Sequence, residues 1–281
     1  MNELALFAGA GGGILGGHLL GWRTVCAVEF EPYAAAVLVQ RQNDGILLQF
    51  PVWDDVRTFD GKPWAGRVDV VSGGFPCQDI SAAGKGAGLD GERSGLWSEM
   101  ARIIREVRPR FAFVENSPML TSRGLGRVLG DLAEMGFDAE WGVVSAANAG
   151  APHLRERIWI VAYSECPERR PQRSACDGLE IKQNGLSQWE ESPGGVRVGS
   201  SDVVNSSGKR HGSPESQIRA RRLSTFIANG WPVEPNVGRM ANGVAHRVDR
   251  LRAIGNGQVS RVAAGAFAML ADNDNQPCER Q

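Results

Sequence analysis

Short apolar runs alternate with amphipathic stretches along the first part of the chain. The apolar runs predict buried β-strands at residues 4–7, 24–30, 68–72, 111–114 and 158–162. Between them, apolar positions three and four apart predict helices at residues 32–39, 96–107 and 125–132, and a glycine-rich turn over residues 9–17 leads into another helix. Strands that alternate with helices in this way predict an α/β fold with a doubly wound, mostly parallel sheet.

The pattern changes after Tyr163. From Cys166 to about Arg239 the chain is rich in Ser, Gly, Pro and Arg, which is typical of a loop-rich lobe or of a solvated linker. Apolar periodicity returns at residues 244–251 and in a helix predicted at residues 259–270. The sequence therefore predicts a core over residues 1–165, an irregular lobe over 166–243, a return to the core over 244–271 and a frayed polar tail over 272–281.

Composition limits the class of protein. The chain has 281 residues, enough for a sizeable core, and its 31 basic and 32 acidic residues leave a net charge of −1, so a nucleic-acid partner would have to bind a local patch. Five cysteines without paired CxxC spacing predict neither a disulfide framework nor a metal site. The start of the chain lacks a signal-peptide pattern, and no apolar stretch is long enough to span a bilayer, so we expect a cytoplasmic protein without a membrane partner.

A glycine-rich segment, Phe7-Ala8-Gly9-Ala10-Gly11-Gly12-Gly13, lies between the first strand and the first helix. Glycines there let the backbone approach a ligand closely. Glu29 ends the second strand, where an acidic residue commonly binds ribose hydroxyls, and Asp55 follows a candidate third strand, where it could accept a hydrogen bond from an adenine amino group. These residues predict a cofactor that contains a nucleoside.

Two cofactors fit this segment. Gly11, Gly13 and Gly16 satisfy the dinucleotide fingerprint and would indicate a nicotinamide-dependent oxidoreductase. Gly9 and Gly11 begin closer to the strand end, which suits S-adenosylmethionine, because that cofactor has no pyrophosphate to bind. The residues alone favour S-adenosylmethionine and leave both readings open.

Candidate catalytic side chains follow three of the predicted strands. Cys77 comes just after a strand and two glycines, at the edge where open α/β sheets bind ligands, although an ordinary loop cysteine would fit there too. Glu115 and Asn116 end the next buried strand. Arg155 comes just before the last strand and Arg157 lies at its start, where a solvated charged turn is the alternative.

Five segments stand in a fixed order along the chain: residues 7–12, Gly74-Phe75-Pro76-Cys77-Gln78, Glu115-Asn116-Ser117, Arg155-Glu156-Arg157 and Gly255-Asn256-Gly257-Gln258-Val259. Together they resemble the motifs of DNA cytosine-5 methyltransferases, particularly the short single-chain enzymes of bacteria and phages. Ser117 and His153 replace the usual Val and Gln. The family's motif between the recognition lobe and the last segment has no confident counterpart, and residues 239–244 are the candidate for it.

This resemblance implies a Rossmann-like catalytic core and assigns roles to the candidate residues. Cys77 would attack C6 of cytosine, Glu115 would donate a proton to N3, and Arg157 would contact O2. Arg155 would support the active-site loop or bind a phosphate, and Asn116 would brace the backbone at Pro76 and Cys77. The residues expected to bind S-adenosylmethionine are Phe7, Gly9, Gly11, Gly12, Glu29, Phe30, Asp55, Val56, Gly74, Pro76, Leu96, Asn256 and Gly257.

The implied partner is double-stranded DNA with its target base flipped out of the stack. Residues 81–95 would close over the base as a glycine-rich lid, and the arginines and lysines of the irregular lobe would contact phosphates and guanines. We expect a monomer, and a cognate restriction endonuclease is a further partner that the family suggests. A tRNA-directed enzyme of the same fold and an inactive DNA-binding relative are the alternatives.

Overall fold

The computed structural model describes residues 1–76, 96–164 and 246–271. Its strands are β1 (Asn2–Leu6), β2 (Arg23–Val28), β3 (Val52–Trp53), β4 (Val70–Gly74), β5 (Phe111–Asn116), β6 (Phe137–Val144) and β7 (Arg157–Ser164). Its helices are α1 (Gly12–Leu19), α2 (Pro32–Asn43), α3 (Leu96–Val107), α4 (Leu120–Arg123), α5 (Leu125–Glu134), α6 (Arg247–Asn256) and α7 (Ser260–Leu270), with 3₁₀ turns at Lys62–Trp64 and Ala147–Ala149. The predicted lobe and tail lie outside the described residues, so their boundaries stay predictions.

The seven described strands form one sheet in the order β3-β2-β1-β4-β5-β7-β6. All neighbours from β3 to β5 pair in parallel, whereas β7 runs antiparallel to both β5 and β6. Helices α3 and α5 cover one face of the sheet, and α1, α2 and α7 cover the other. This architecture confirms the predicted α/β class and its doubly wound, mostly parallel sheet.

Strand β5 shows how sequence alternation positions the site. Phe111 and Phe113 face α7, where their rings lie 5.5 and 5.3 Å from the ring of Phe267. Ala112 belongs to the core on the opposite face, with α3. Because side chains alternate along a strand, Glu115 projects to the same face as Phe113, at the carboxyl edge of the sheet.

The largest departure from the predicted elements is β6. It is an edge strand, and its polar residues Asp138 and Glu140, together with a Trp141 that is 42% exposed, obscure the apolar alternation that would have predicted it. Helix α6 begins and ends later than the periodicity near residues 244–251 suggested. In the described part of the chain, each helix is too short or too polar to cross a bilayer.

Candidate active site and cofactor cavity

A cavity of about 640 Å³ opens at the carboxyl edge of the sheet. That edge is where doubly wound sheets bind ligands, and the volume lies in the range typical of cofactor sites. Most of the predicted site residues line it: Phe7, Gly9, Glu29, Phe30, Asp55, Val56, Gly74, Pro76, Leu96, Glu115, Asn116, Arg157, Asn256 and Gly257. The fold therefore brings together residues from both ends of the sequence.

Three predicted residues lie outside this lining, and one cannot be placed. Gly11 has φ +83° and is the N-cap residue of α1, where it lies next to the side chain of Leu38. Gly12 packs against the backbone of Gln258. Arg155 donates hydrogen bonds to the carbonyls of Gly255 and Gly257 instead of facing the cavity. Cys77 lies outside the described residues, and the described chain stops next to it at Pro76, which lines the cavity.

Glu29 fixes the glycine turn after β1. Its Oε2 accepts a hydrogen bond of 2.6 Å from the Gly9 amide, and its Oε1 accepts one of 2.7 Å from the Glu31 amide. Burial raises the pKa of the Glu29 carboxyl, and these two amides oppose that rise. Glu29 thus joins the ends of β1 and β2 at the rim of the cavity while keeping acceptor capacity on both oxygens.

A second acid and an exposed aromatic ring stand at the same end of the cavity. Asp55 forms an ion pair with Arg57, whose Nη2 lies 2.7 Å from Oδ2, and the hydrogen bonds from Arg57 lower the pKa of the Asp55 carboxyl. The guanidinium of Arg57 also lies 5.9 Å from the ring centre of Phe30. Phe30 is 69% exposed, so the part of its apolar ring that Arg57 leaves uncovered is available to a flat partner such as an adenine.

Glu115 and Arg157 form the polar end of the cavity. Arg157 Nε lies 2.9 Å from Glu115 Oε1, and Gln258 Nε2 lies 3.4 Å from Oε2. Glu115 is only 8% exposed and pairs across the sheet with Trp159, so an indole lies beside it on the same face. Burial raises the pKa of the Glu115 carboxyl above its ordinary value, while the charge of Arg157 opposes the rise. Burial therefore favours the protonated form of this carboxyl more than water favours it on an exposed glutamate.

Asn116 braces the backbone next to this pair. Its Nδ2 donates a hydrogen bond of 3.0 Å to the carbonyl of Phe75, and its Oδ1 accepts one of 2.7 Å from the amide of Ser117. The bond to Phe75 lies one residue before Pro76 and Cys77, the backbone that Asn116 was predicted to brace. It ties the end of β5 to the segment that leads into Cys77.

Several residues at the site were not predictable from the sequence. Gln258 stood inside the last motif without an assigned role, although it reaches Glu115 from 143 positions away. Arg57 belongs to none of the motifs recognised in the sequence. An ion pair of 3.3 Å between Arg252 of α6 and Glu31 closes the cavity rim. The two residues are so far apart in the sequence that no local pattern predicts their contact.

The charge of the cavity discriminates between the two candidate cofactors. The described residues that line it include six acids and three arginines: Glu29, Glu31, Asp54, Asp55, Glu115 and Asp249 against Arg57, Arg157 and Arg252. An excess of acids suits a cationic sulfonium and opposes a pyrophosphate. The amino end of α1, where a dinucleotide would place its phosphates, is covered by Gln258. The residues present therefore fit S-adenosylmethionine better than a nicotinamide dinucleotide.

The fold and the site together define a Rossmann-like α/β protein with a candidate cofactor cavity and a buried acid–arginine pair at the carboxyl edge of its sheet. A sequence profile described as C-5 cytosine-specific DNA methylase matches residues 1–210. The chain belongs to the C-5 cytosine-specific DNA methylase family.

Individual relatives match shorter stretches. The chain is 31% identical over 228 residues to the type II methyltransferase M.Eco47II of Escherichia coli, which covers 76% of this chain and 51% of that protein. It is 36% identical over 161 residues to M.PspPI of a Psychrobacter species, covering 56% of this chain and 38% of that one. The chain thus spans about half or less of the length of these relatives.

A solved structure of a Spodoptera frugiperda DNMT2 variant superposes with a TM-score of 0.57 over 96% of this chain and 99% of that chain. The two sequences are 15% identical, so this likeness shows the fold alone.

Proposed function

We propose that the chain is a DNA cytosine-5 methyltransferase that transfers a methyl group from S-adenosylmethionine to C5 of a flipped-out cytosine through a Cys77 adduct at C6. The single observation that carries this proposal is the buried pair of Glu115 and Arg157, 2.9 Å apart, at one end of a cavity whose other end presents Phe30 and two acids. Family membership over residues 1–210 supports the same reaction.

The chemistry requires a nucleophile because C5 of cytosine is too poor in electrons to take a methyl group directly. The Cys77 thiolate forms a bond to C6 while N3 accepts a proton from Glu115, which leaves C5 electron-rich. C5 then takes the methyl group, whose bond to the donor sulfur breaks with its electrons staying on that sulfur, and C5 afterwards loses its proton to solvent. The Cys77–C6 bond breaks with its electrons returning to sulfur, and N3 returns its proton to Glu115.

Glu115 suits the role of proton donor because burial favours its neutral form. Arg157, which faces the same cavity, would stabilise negative charge that develops at O2 of the base. Asn116 would act indirectly, through the Phe75 carbonyl that it holds.

S-adenosylmethionine, when bound, supplies an activated methyl group. Glu29 and Asp55 would accept hydrogen bonds from its ribose and adenine, and Phe30 would cover the adenine ring. Gly9, Gly74 and Asn256 would line its path toward Glu115. The acidic lining favours the sulfonium over a neutral or anionic analogue.

Double-stranded DNA is the proposed substrate, since the relatives that match by sequence are named type II methyltransferases. Their class also suggests a cognate restriction endonuclease as a partner. Residues 166–243 are proposed to read the DNA sequence, and residues 81–95 to close over the flipped base; both segments lie outside the described residues. A flipped base costs a few kcal/mol in lost stacking, which protein contacts must offset.

A mechanism-based trap tests the proposal. DNA that carries 5-fluorocytosine should form a stable adduct with the wild-type protein and S-adenosylmethionine, because fluorine at C5 cannot leave as a proton. Cys77→Ser should abolish the adduct, as seen on a denaturing gel. Cys26→Ser is the matched control, since burial raises the pKa of the Cys26 thiol to about 11 and keeps it unreactive.

Three results would contradict the proposal. The first is an adduct that still forms with the Cys77→Ser variant. The second is that the wild-type protein forms no adduct with any duplex tested. The third is a preference for structured RNA over DNA in the same assay. The last result would favour the tRNA-directed alternative.

A further inference from the structure

Gln258 lies between α6 and α7 and reaches into the space behind the catalytic acid. Its Nε2 lies 3.4 Å from Glu115 Oε2. Two glycines make room for the side chain: a Cβ at Gly13 would overlap its Oε1, and a Cβ at Gly74 would lie 3.1 Å from its Nε2. The glutamine therefore fills a slot between the first turn of α1 and the end of β4.

The surroundings orient the amide of Gln258. Its Oε1 lies at the amino end of α1, where the helix dipole presents partial positive charge and favours an oxygen. Its Nε2 then points toward the carboxyl of Glu115, which favours a donor. Each end of the amide thus faces a group of complementary polarity.

Arg155 holds the backbone that carries this glutamine. Its Nη2 donates a hydrogen bond of 2.8 Å to the Gly255 carbonyl and a second one to the Gly257 carbonyl. Arg155 itself has φ +39°, a left-handed backbone conformation that is unfavourable for a side chain this large. The two bonds therefore fix the peptide just before Gln258 against the start of β7.

We propose that Gln258 is a positioning residue that fixes the plane of the Glu115 carboxyl for proton transfer to the base. Arg157 holds Oε1 only, and the terminal torsion of a glutamate is soft, so one partner leaves the plane of the carboxyl free to turn. A second partner at Oε2 removes that freedom. The inference rests on the proposed function, because it gives Glu115 the role of proton donor.

The test replaces the amide without changing the length of the side chain. Gln258→Met should lower the rate of adduct formation on 5-fluorocytosine DNA about tenfold or more, since small displacements of a catalytic group are costly. The KM for S-adenosylmethionine should change less than about threefold, and protein that still binds it by calorimetry is folded. Gln40→Met is the matched control, because Gln40 also donates to a carboxylate, Asp44 Oδ1 at 2.7 Å, on the exposed surface of α2.

Gln258→Glu supplies a readout that a merely structural role would not affect. At low pH a protonated Glu can donate as the amide does, so part of the lost rate should return as the pH falls. At higher pH its charge should raise the pKa of Glu115, which also faces the guanidinium groups of Arg157 and Arg155. A carboxyl ¹³C titration of Glu115, assigned with Glu115→Gln, should show its midpoint rising from wild type to Gln258→Met to Gln258→Glu.

The outcomes separate this inference from the proposed function. Unchanged adduct formation in Gln258→Met, or a Glu115 titration that is the same in all three proteins, overturns the role of Gln258 and leaves the proposed function standing. If the titration shifts as expected but the wild-type protein forms no adduct and transfers no methyl group, the proposed function fails while the contact between Gln258 and Glu115 stands.

Discussion

Among the described residues, Glu3 and Glu115 are buried carboxyl groups at opposite ends of the strands of one sheet, and their surroundings differ. Glu3 lies near the start of β1, is 1% exposed, and accepts hydrogen bonds of 2.7 Å from Thr24 and 2.6 Å from Ser72. Glu115 lies near the end of β5 and is paired with the guanidinium of Arg157. Burial raises the pKa of both carboxyls, to about 7 for Glu3.

The comparison shows that desolvation alone does not make an active site. At Glu3 the hydrogen-bond donors are neutral hydroxyls, so we expect proton uptake at this buried end of the sheet to change only stability. At Glu115 the same desolvation is opposed by a charged arginine, and the group faces a cavity at the edge where ligands bind. A nearby charge and access to a substrate turn a perturbed carboxyl into a candidate acid.

The largest expected effect is on the rate of methyl transfer, which should depend on Glu115 and not on Glu3. Glu115→Gln should slow methyl transfer about 10²- to 10⁴-fold, the usual contribution of a general acid, because an amide cannot give N3 a proton. Glu3→Gln makes the same chemical change in the same sheet and should leave the rate within about twofold. Single-turnover transfer of labelled methyl to DNA measures both, and equal losses in the two variants would show that the difference between the sites is not catalytic.

The sequence predicted one of these acids and not the other, for a physical reason. Glu115 ends an apolar strand and belongs to a motif, so its burial and its place at the carboxyl edge both follow from the pattern. Glu3 precedes the predicted first strand, where an acid normally remains solvated. Its burial depends on Thr24, Ser72 and the small surface of Gly17, which come from β2, β4 and α1. Local periodicity contains no such information.

Contacts between residues that are far apart in the sequence could not be predicted from local periodicity either. Gln258 stood in a motif, but its position beside Glu115 depends on the docking of α7 and on the clamp from Arg155. The mostly parallel sheet was predictable from strand–helix alternation. The antiparallel β7 and the edge strand β6 were not, because strand direction depends on the connections and β6 lacks a clean apolar alternation.

The next largest expected effect is on the pH dependence of the free energy of unfolding. Folding raises the pKa of Glu3 from an ordinary 4.5 to about 7, so the folded state binds the proton more tightly than the unfolded state does. The stability that Glu3 contributes when protonated is fully present below pH 4.5 and is lost as the pH rises through about 7. Glu3→Gln lacks this loss, so its free energy of unfolding relative to wild type should rise by about 3 kcal/mol between pH 4.5 and pH 8.

Urea unfolding at several pH values measures this difference. Taking the difference between the variant and wild type at each pH removes the titration of Glu29 and Glu115, which both proteins share. A difference that stays constant with pH would mean that Glu3 titrates normally in the folded protein.

The smallest expected effects come from the glycine that lies beside each acid. A Cβ at Gly17 would lie 2.8 Å from Trp22 and 3.1 Å from Glu3 Oε2, so Gly17→Ala should lower stability by about 1–2 kcal/mol, even though alanine is the better helix former. A Cβ at Gly74 would overlap Glu115 Oε2, so Gly74→Ala should instead lower the rate of methyl transfer about tenfold by displacing the acid.

Gly130→Ala separates crowding from helix propensity, because a Cβ at this helical glycine in α5 has no atom within 4 Å. It should raise stability by about 0.5–1 kcal/mol and leave the rate unchanged. Thermal melting and single-turnover rates of the three variants test the division between the two acids. The claim that Glu3 affects stability and Glu115 affects the rate would be wrong if Gly17→Ala slowed the fully folded protein as much as Gly74→Ala does. A displacement of Glu3 would then be transmitted through β1 and β4 to the candidate active site.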